Sequence, residues 1–260
     1  MVLFFDIDGT LWNYKNEIPG STKEAIKKAR ENGHHCFINT GRSRAFVHNK
    51  ELLGIGFDGI ITACGTMIEY NGDIIYRRNI PREDAIRTVD TVRRYGFLPI
   101  LEGNEHLYLE IDDFKDDMYG AKVIEEMGDK LRGIDECYGN WEIQKLSCAT
   151  KIPVSERDKC FDELSDLYDY IIHSDSVVEM VPKGYNKGTA VLKVCELLSE
   201  DVKDTFSFGD SINDKEMLIT AGVGVAMGDT YHDLSEYADY ITSPLEEDGI
   251  YNALKHFEII

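Results

Sequence analysis

Hydrophobic residues in this chain collect into short runs that stop at carboxylates and glycine. Val2–Phe5 runs into Asp6-Ile7-Asp8-Gly9-Thr10, and Thr205–Phe208 runs into Gly209-Asp210-Ser211-Ile212-Asn213-Asp214. Apolar runs of this length followed by Gly predict buried strands entering turns. After the first strand, Ser21-Thr22-Lys23-Glu24 has the S-x-x-E spacing of a capping box and predicts a helix, with Ala25, Ile26 and Ala29 on one face and Gly33 as its stop. A strand is expected over His35–Ile38, a helix over Ser43–Leu53 and a third strand over Gly59–Thr62. Asn71-Gly72 between Met67–Tyr70 and Asp73–Tyr76 is a hairpin signal.

Beyond Pro81 the texture changes. Helical patterns at Glu83–Tyr95 and Cys160–Tyr168 mix with strand-like runs at Leu98–Leu101, His106–Ile111, Trp141–Ala149 and Tyr170–His173, without strict alternation, which is the texture of an α+β unit. From Asn186 alternation returns: helix Gly188–Leu198, strand Thr205–Gly209, helix Asn213–Ala221, strand Val223–Met227, helix Thr230–Tyr237, strand Asp239–Thr242 and helix Asp248–Phe257. The expected architecture is a doubly wound, mostly parallel Rossmann-like α/β core over residues 1–81 and 185–260, with an α+β domain inserted at 82–184.

Composition narrows the partners. The chain has 260 residues, 43% of them hydrophobic, enough for a proper core, and a formal net charge of -20. That charge disfavours nucleic acid and anionic membrane surfaces, which call for a basic face. Six cysteines form no C-x-x-C pair, and no stretch has the length of a signal peptide or a membrane span. A reducing, cytoplasmic setting and a monomer or small homo-oligomer are expected. The seven histidines show no metal-ligand spacing.

Ligands bind at the carboxyl ends of the strands of an open α/β sheet. The pattern therefore predicts Asp6, Asp8, Asp210 and Asp214 at one sheet edge. Two like charges at about 4 Å and an effective dielectric of about 20 repel by roughly 4 kcal/mol, so such a cluster calls for a cation, and hard oxygens suit Mg²⁺.

The motifs in order, D-x-D-G-T at Asp6–Thr10, Thr40 in Asn39-Thr40-Gly41-Arg42, Lys187 in Asn186-Lys187-Gly188 and G-D-x-x-N-D at Gly209–Asp214, resemble the haloacid dehalogenase superfamily. Ala221–Gly228, Glu247-Asp248-Gly249-Ile250 and the long insert resemble its Cof-type (class IIB) phosphatases. The resemblance implies Asp6 as nucleophile and Asp8 as general acid–base. It implies Mg²⁺ held by Asp6, the Asp8 carbonyl and Asp210, with Asp214 acting mainly through water or ligand orientation. Lys187, Thr40, Gly41 and Asn213 would contact the phosphoryl oxygens of a small phosphate monoester. The family often has Asn-Gly after the third strand, where this chain has Cys64-Gly65. Cys64 reads as a packed side chain rather than a reactive thiol.

Each motif also has a plain structural reading: Asp8-Gly9 as a turn, Thr40 and Asn186 as caps, Lys187 as a solvated helix start and Asp214 as a first-turn acid. Their joint occurrence at parallel-strand ends favours chemistry. Arg42 stays open between a structural and a rim role. Tyr108, Trp141 and Tyr185 read as core before pocket, and Glu110, Asp112, Asp113, Asp116 and Asp117 as a solvated face. The rival functions are a sugar phosphomutase, a phospho-accepting module of receiver type and a phosphate-binding protein without turnover.

Overall fold

The computed structural model describes residues 1–149, 152–229 and 232–260. The chain opens with β1 (Val2–Phe5), α1 (Gly20–Glu31), β2 (His35–Asn39), α2 (Lys50–Leu53), β3 (Gly59–Thr62), β4 (Met67–Tyr70) and β5 (Asp73–Arg77). It continues through α3 (Arg82–Arg94), β6 (Leu98–Gly103), β7 (Leu107–Tyr108), α4 (Met118–Met127), β8 (Leu131–Arg132), β9 (Ile143–Ala149), α5 (Val154–Glu163), β10 (Tyr168–Ser174) and β11 (Val177–Pro182). It closes with α6 (Lys187–Leu198), β12 (Thr205–Gly209), α7 (Lys215–Thr220), β13 (Val223–Ala226), α8 (His232–Ser235), β14 (Tyr240–Ile241) and α9 (Gly249–His256). Two compact units result: Met1–Gly41, His48–Arg77 and Asn186–Ile260 form one, and Arg42–Val47 with Arg78–Tyr185 the other.

The first unit is a doubly wound α/β layer. Its sheet runs β14-β13-β12-β1-β2-β3-β4-β5, parallel from β14 to β3 and antiparallel at β4 and β5. All four residues of β1 and all five of β12 are buried, the pattern of strands covered on both faces. Val2, Phe4 and Phe37 pack with Ala190, Val191 and Val194 of α6 and Met217 of α7. Alternation sends Leu3 and Phe5 to the opposite face. The β4–β5 turn holds Asn71 at φ 51° and Gly72 at φ 86°, the left-handed pair that a two-residue hairpin turn demands.

The second unit is the α+β insert. Its sheet runs β10-β11-β9-β6-β7-β8, antiparallel except between β7 and β8. One face packs Val89, Val92, Phe97, Leu146, Cys148 and Leu164. Tyr108 and Trp141 lie in that same core, and the Trp141 indole donates to the Ile134 carbonyl at 3.1 Å. Ala45, from the short segment Arg42–Val47, packs with Ile100, Leu107 and Phe114 of this unit, and Arg42 pairs with Glu126 at 3.4 Å.

Several expected elements differ. Helix α1 begins at Gly20, with Pro19 as N-cap and no side-chain cap, so Ser21 makes no capping box. The expected helix Ser43–Leu53 is broken: a 3₁₀ turn covers Arg44–Phe46, and Asn49 caps α2 by accepting from the Glu51 and Leu52 amides. Helix α5 starts after Pro153 and stops at Glu163, which leaves Tyr168 to head β10, where it pairs with Pro182. The expected strand His106–Ile111 shrinks to Leu107–Tyr108, and α4 and β11 carried no signal in the pattern. Asp117, counted in the solvated acidic face, caps α4 by accepting from the Gly120 amide at 2.8 Å. The helix expected over Asn213–Ala221 is a 3₁₀ turn, Ile212–Asp214, followed by α7. Of the expected helix Thr230–Tyr237, Thr230 and Tyr231 lie outside the described residues.

The insert buries ions of its own. Lys145 on β9, 1% exposed, lies 2.8 Å from Glu179 on β11 and 3.6 Å from Glu102 on β6, while His173 Nε2 is 3.1 Å from Glu179. Burial raises the Glu102 pKa, and Lys145 only partly offsets it. Burial pushes Glu179 up too, but Lys145 and then His173 outweigh it and hold its pKa down to about 2, against an ordinary 4.5. A depressed folded-state pKa stabilises fully above 4.5, and that stability drains as pH falls toward 2. The unfolding free energy of Glu179→Gln, followed by urea titration, is therefore expected below wild type at neutral pH, with the gap closing as pH drops below 4.5. A gap independent of pH contradicts this account.

Candidate active site

Parallel register decides where the acids go. Phe5 pairs with Phe208 on one side and Ile38 on the other, so β12, β1 and β2 deliver Asp210, Asp6 and Thr40 to the same edge of the sheet. The Asp6 amide donates to the Phe208 carbonyl and the Thr40 amide to the Ile61 carbonyl, both at 3.0 Å, which carries the pairing one residue past each strand. Thr40 is buried and Gly41 half-buried.

Lys187 reaches the same place from the first residue of α6. The Asn186 side chain accepts from the Thr189 amide, and the Thr189 hydroxyl accepts from the Asn186 amide, a reciprocal cap. The Asn39 side-chain amide donates to the Lys187 carbonyl at 2.9 Å and so ties this helix start to the end of β2. The Lys187 Nζ lies 2.7 Å from Asp6 Oδ1 and 2.6 Å from Asp214 Oδ1. Lys187, Asp6 and Asp214 are all buried.

Asp214 has both oxygens engaged. Oδ1 takes Lys187, and Oδ2 accepts from the Asp210 and Ser211 amides, each at 3.1 Å. It thereby joins the lysine to the loop that carries Asp210. Thr10 donates its hydroxyl to Asp210 Oδ1 at 3.2 Å. Gly9 sits at φ +80°, and a Cβ there would stand 2.3 Å from Asp210 Oδ2, so only glycine lets this loop approach. Asn213 lies half-buried in the 3₁₀ turn, its Oδ1 accepting from the Ser211 hydroxyl at 2.5 Å.

Oxygens of Asp6, Asp210 and Asp214 all fall within 4.8 Å of one another. One ammonium faces three carboxylates, and their pKa values record the imbalance. Burial, then Asp214, lifts Asp6 well above the carboxylate range against the pull of Lys187, with Asp8 and Asp210 adding to the rise. Burial and Asp214 lift Asp210 to about 7. Burial works against the charge on Lys187, but Asp214 and Asp6 outweigh it and raise its pKa. Hard oxygen donors with too little positive charge fit a divalent cation, which would return the carboxylates to their ionised form.

Asp8 is not one of the three grouped carboxylates, although its charge acts on Asp6. It is exposed, and its Oδ1 accepts from the Trp12 indole N–H at 2.9 Å. Ala63, Cys64 and Gly65, which follow β3, hold φ values of 47°, 55° and 94°. The Cys64 amide donates to the Thr40 carbonyl at 3.2 Å. This left-handed bend is a backbone reason for asparagine at position 64, since asparagine tolerates positive φ better than cysteine. Cys64 itself is buried. Asn39, Trp12 and the role of Thr10 escaped the sequence reading; a polar residue ending an apolar strand was the only available signal for Asn39.

A family model of haloacid dehalogenase-like hydrolases matches residues 3–254. The chain is 31% identical to YkrA of Bacillus subtilis (strain 168), over 100% of this chain and 98% of that protein. It is 26% identical to the 5-amino-6-(5-phospho-D-ribitylamino)uracil phosphatase YcsE of the same organism, over 98% of this chain and 95% of the other. Among solved structures, the HAD subclass IIB sugar phosphatase BT4131 is similar with a TM-score of 0.81 and 28% identity, over 100% of this chain and 99% of that one.

Removing the one ammonium leaves two buried carboxylates uncompensated. Lys187→Met is expected to lower the unfolding free energy by about 3 kcal/mol at neutral pH with a chelator present, measured by urea denaturation. A loss below about 1 kcal/mol argues that the pair is not desolvated.

Proposed function

The chain belongs to the haloacid dehalogenase-like hydrolases, in the Cof-type branch, and is a phosphatase; from that premise we propose that it hydrolyses a small phosphorylated metabolite, a sugar phosphate or nucleotide-like cofactor, through an aspartyl-phosphate on Asp6. The observation that carries the reading is the Lys187 ammonium, 2.7 Å from Asp6 Oδ1 in a buried cluster of three carboxylates.

In this scheme a carboxylate oxygen of Asp6 bonds to phosphorus and the phosphorus–oxygen bond to the leaving group breaks. The leaving oxygen takes the proton of the Asp8 carboxyl. Asp8, now a carboxylate, takes a proton from water. The water oxygen then bonds to phosphorus, the bond to Asp6 breaks, and inorganic phosphate leaves. Lys187 neutralises Asp6 and the phosphoryl oxygens, while the Thr40 hydroxyl and the Gly41 and Asn213 amides donate to those oxygens. Asp6, the Asp8 carbonyl and Asp210 would hold Mg²⁺, with Asp214 fixing the Asp210 loop behind them. When bound, the ion supplies the positive charge that the cluster lacks.

We assign the first unit as catalytic and the second, the cap, as the part that selects the leaving group. Relatives named for a sugar phosphate and for a phosphorylated ribitylaminouracil support a polyhydroxylated substrate. Six unbridged cysteines fit action in a reducing compartment, the cytoplasm. Among the described residues no helix is long and apolar enough to cross a membrane.

Released phosphate from p-nitrophenyl phosphate and from a panel of phosphorylated metabolites tests the proposal. Turnover is expected with Mg²⁺, to vanish with EDTA, to return on adding Mg²⁺ back, and to fall at least about 1,000-fold in Asp6→Asn, since an amide is a poor nucleophile. Wild-type turnover by Asp6→Asn excludes the mechanism.

A further inference from the structure

We propose that Trp12 is a positioning residue for the acid–base step, holding the Asp8 carboxyl in the geometry that protonates the leaving oxygen. The inference rests on the reading of Asp8 as the acid–base group.

Trp12 lies four residues after Asp8 and is 4% exposed, although its partner is exposed. The turn between them is stitched from both sides. The Leu11 and Trp12 amides donate to the Ile7 carbonyl at 2.9 and 3.1 Å, and the Gly9 amide donates to the Trp12 carbonyl at 2.9 Å. The last two of these bonds make Asp8 and Trp12 an isolated parallel bridge. These bonds fix the Trp12 backbone and burial confines its ring, whose N–H meets Asp8 Oδ1 at 2.9 Å.

An indole N–H is a donor only. The oxygen it engages accepts, and the carbonyl-type oxygen is the better acceptor, so in the neutral acid the bond favours the transferable proton on Oδ2. The bond thereby bears on both the plane of the carboxyl and the edge that carries the proton. Proton transfer requires the donor oxygen within hydrogen-bond reach of the leaving oxygen, so the orientation of this carboxyl bears directly on the step. The contact gives this buried indole a polar task.

The test separates positioning from packing by leaving group. Protonation matters more for phenol than for p-nitrophenol, which is the stronger acid and departs as the anion. The quantity is kcat/KM with Mg²⁺ for phenyl phosphate and p-nitrophenyl phosphate, because it reports ester cleavage and not the later hydrolysis of the phosphoenzyme. Trp12→Phe keeps an aromatic ring and removes the donor; Trp12→Leu, which keeps only an apolar side chain, also removes the donor should the first variant not fold. The expected result is a loss of about 10-fold on phenyl phosphate and at most about 2-fold on p-nitrophenyl phosphate. Asp8→Asn, run alongside, shows the same asymmetry with larger losses. Equal losses on both substrates, or none, in the Trp12 variants while Asp8→Asn remains asymmetric overturn the positioning role alone. A symmetric loss in Asp8→Asn overturns the acid–base reading and the inference with it.

Discussion

An ammonium held out of water between two carboxylates sets the terms for the first unit. Lys187 sits 2.7 Å from Asp6 and 2.6 Å from Asp214 with almost no exposure. A desolvated charge is tolerable only when paired at good geometry, so every element that fixes this contact is constrained by it. The reciprocal Asn186–Thr189 cap fixes the helix start, Asn39 ties it to β2, and Asp214 passes the constraint to the Asp210 amide. Because one lysine cannot balance three acids, the cluster keeps a deficit of positive charge, which a divalent cation would offset before an anionic phosphoryl group could approach.

The two units treat buried charge differently. In the first, Asp6 and Asp210 have pKa values raised by burial and by neighbouring acids, a strained arrangement suited to chemistry. In the second, Glu179 is held low by Lys145 and His173, and Glu102 is raised. The antiparallel register sets this up: Glu102 pairs across from Lys145, and Glu179 across from Ser147, so the charged residues share one face of the sheet.

Asp8 illustrates how a short turn adds precision to a strand end. The strand brings Asp6 and Asp8 to the sheet edge, but alternation alone does not aim the second carboxyl. The turn through Gly9 and Thr10 returns the chain to place Trp12 beside Asp8, while Thr10 reaches Asp210 and Gly9 leaves room for it. Three residues of one turn thus serve two different acids, Asp8 and Asp210.

The parallel core was legible in the amino-acid sequence because its signals are local. Gly59–Thr62, Thr205–Gly209 and the Asn71-Gly72 turn are apolar runs bounded by residues whose backbone preferences are strong, and they fold as read. Asp6 and Asp210 could be picked out as candidates for a similar reason: acids that follow buried strands stand out against apolar neighbours. Where two local preferences compete, the sequence alone was insufficient. Ser21 and Pro19 both offer a helix start and Pro19 prevails; Asn49 divides what periodicity joins; Tyr168 satisfies a helical spacing but pairs with Pro182. Tertiary structure alone decided that Lys187 is buried rather than solvated, that Asn39 holds its helix and that Trp12 donates to Asp8. Each of these depends on the distance and orientation of groups brought together only when the chain folds, and residue order along a single strand or helix carries no record of either.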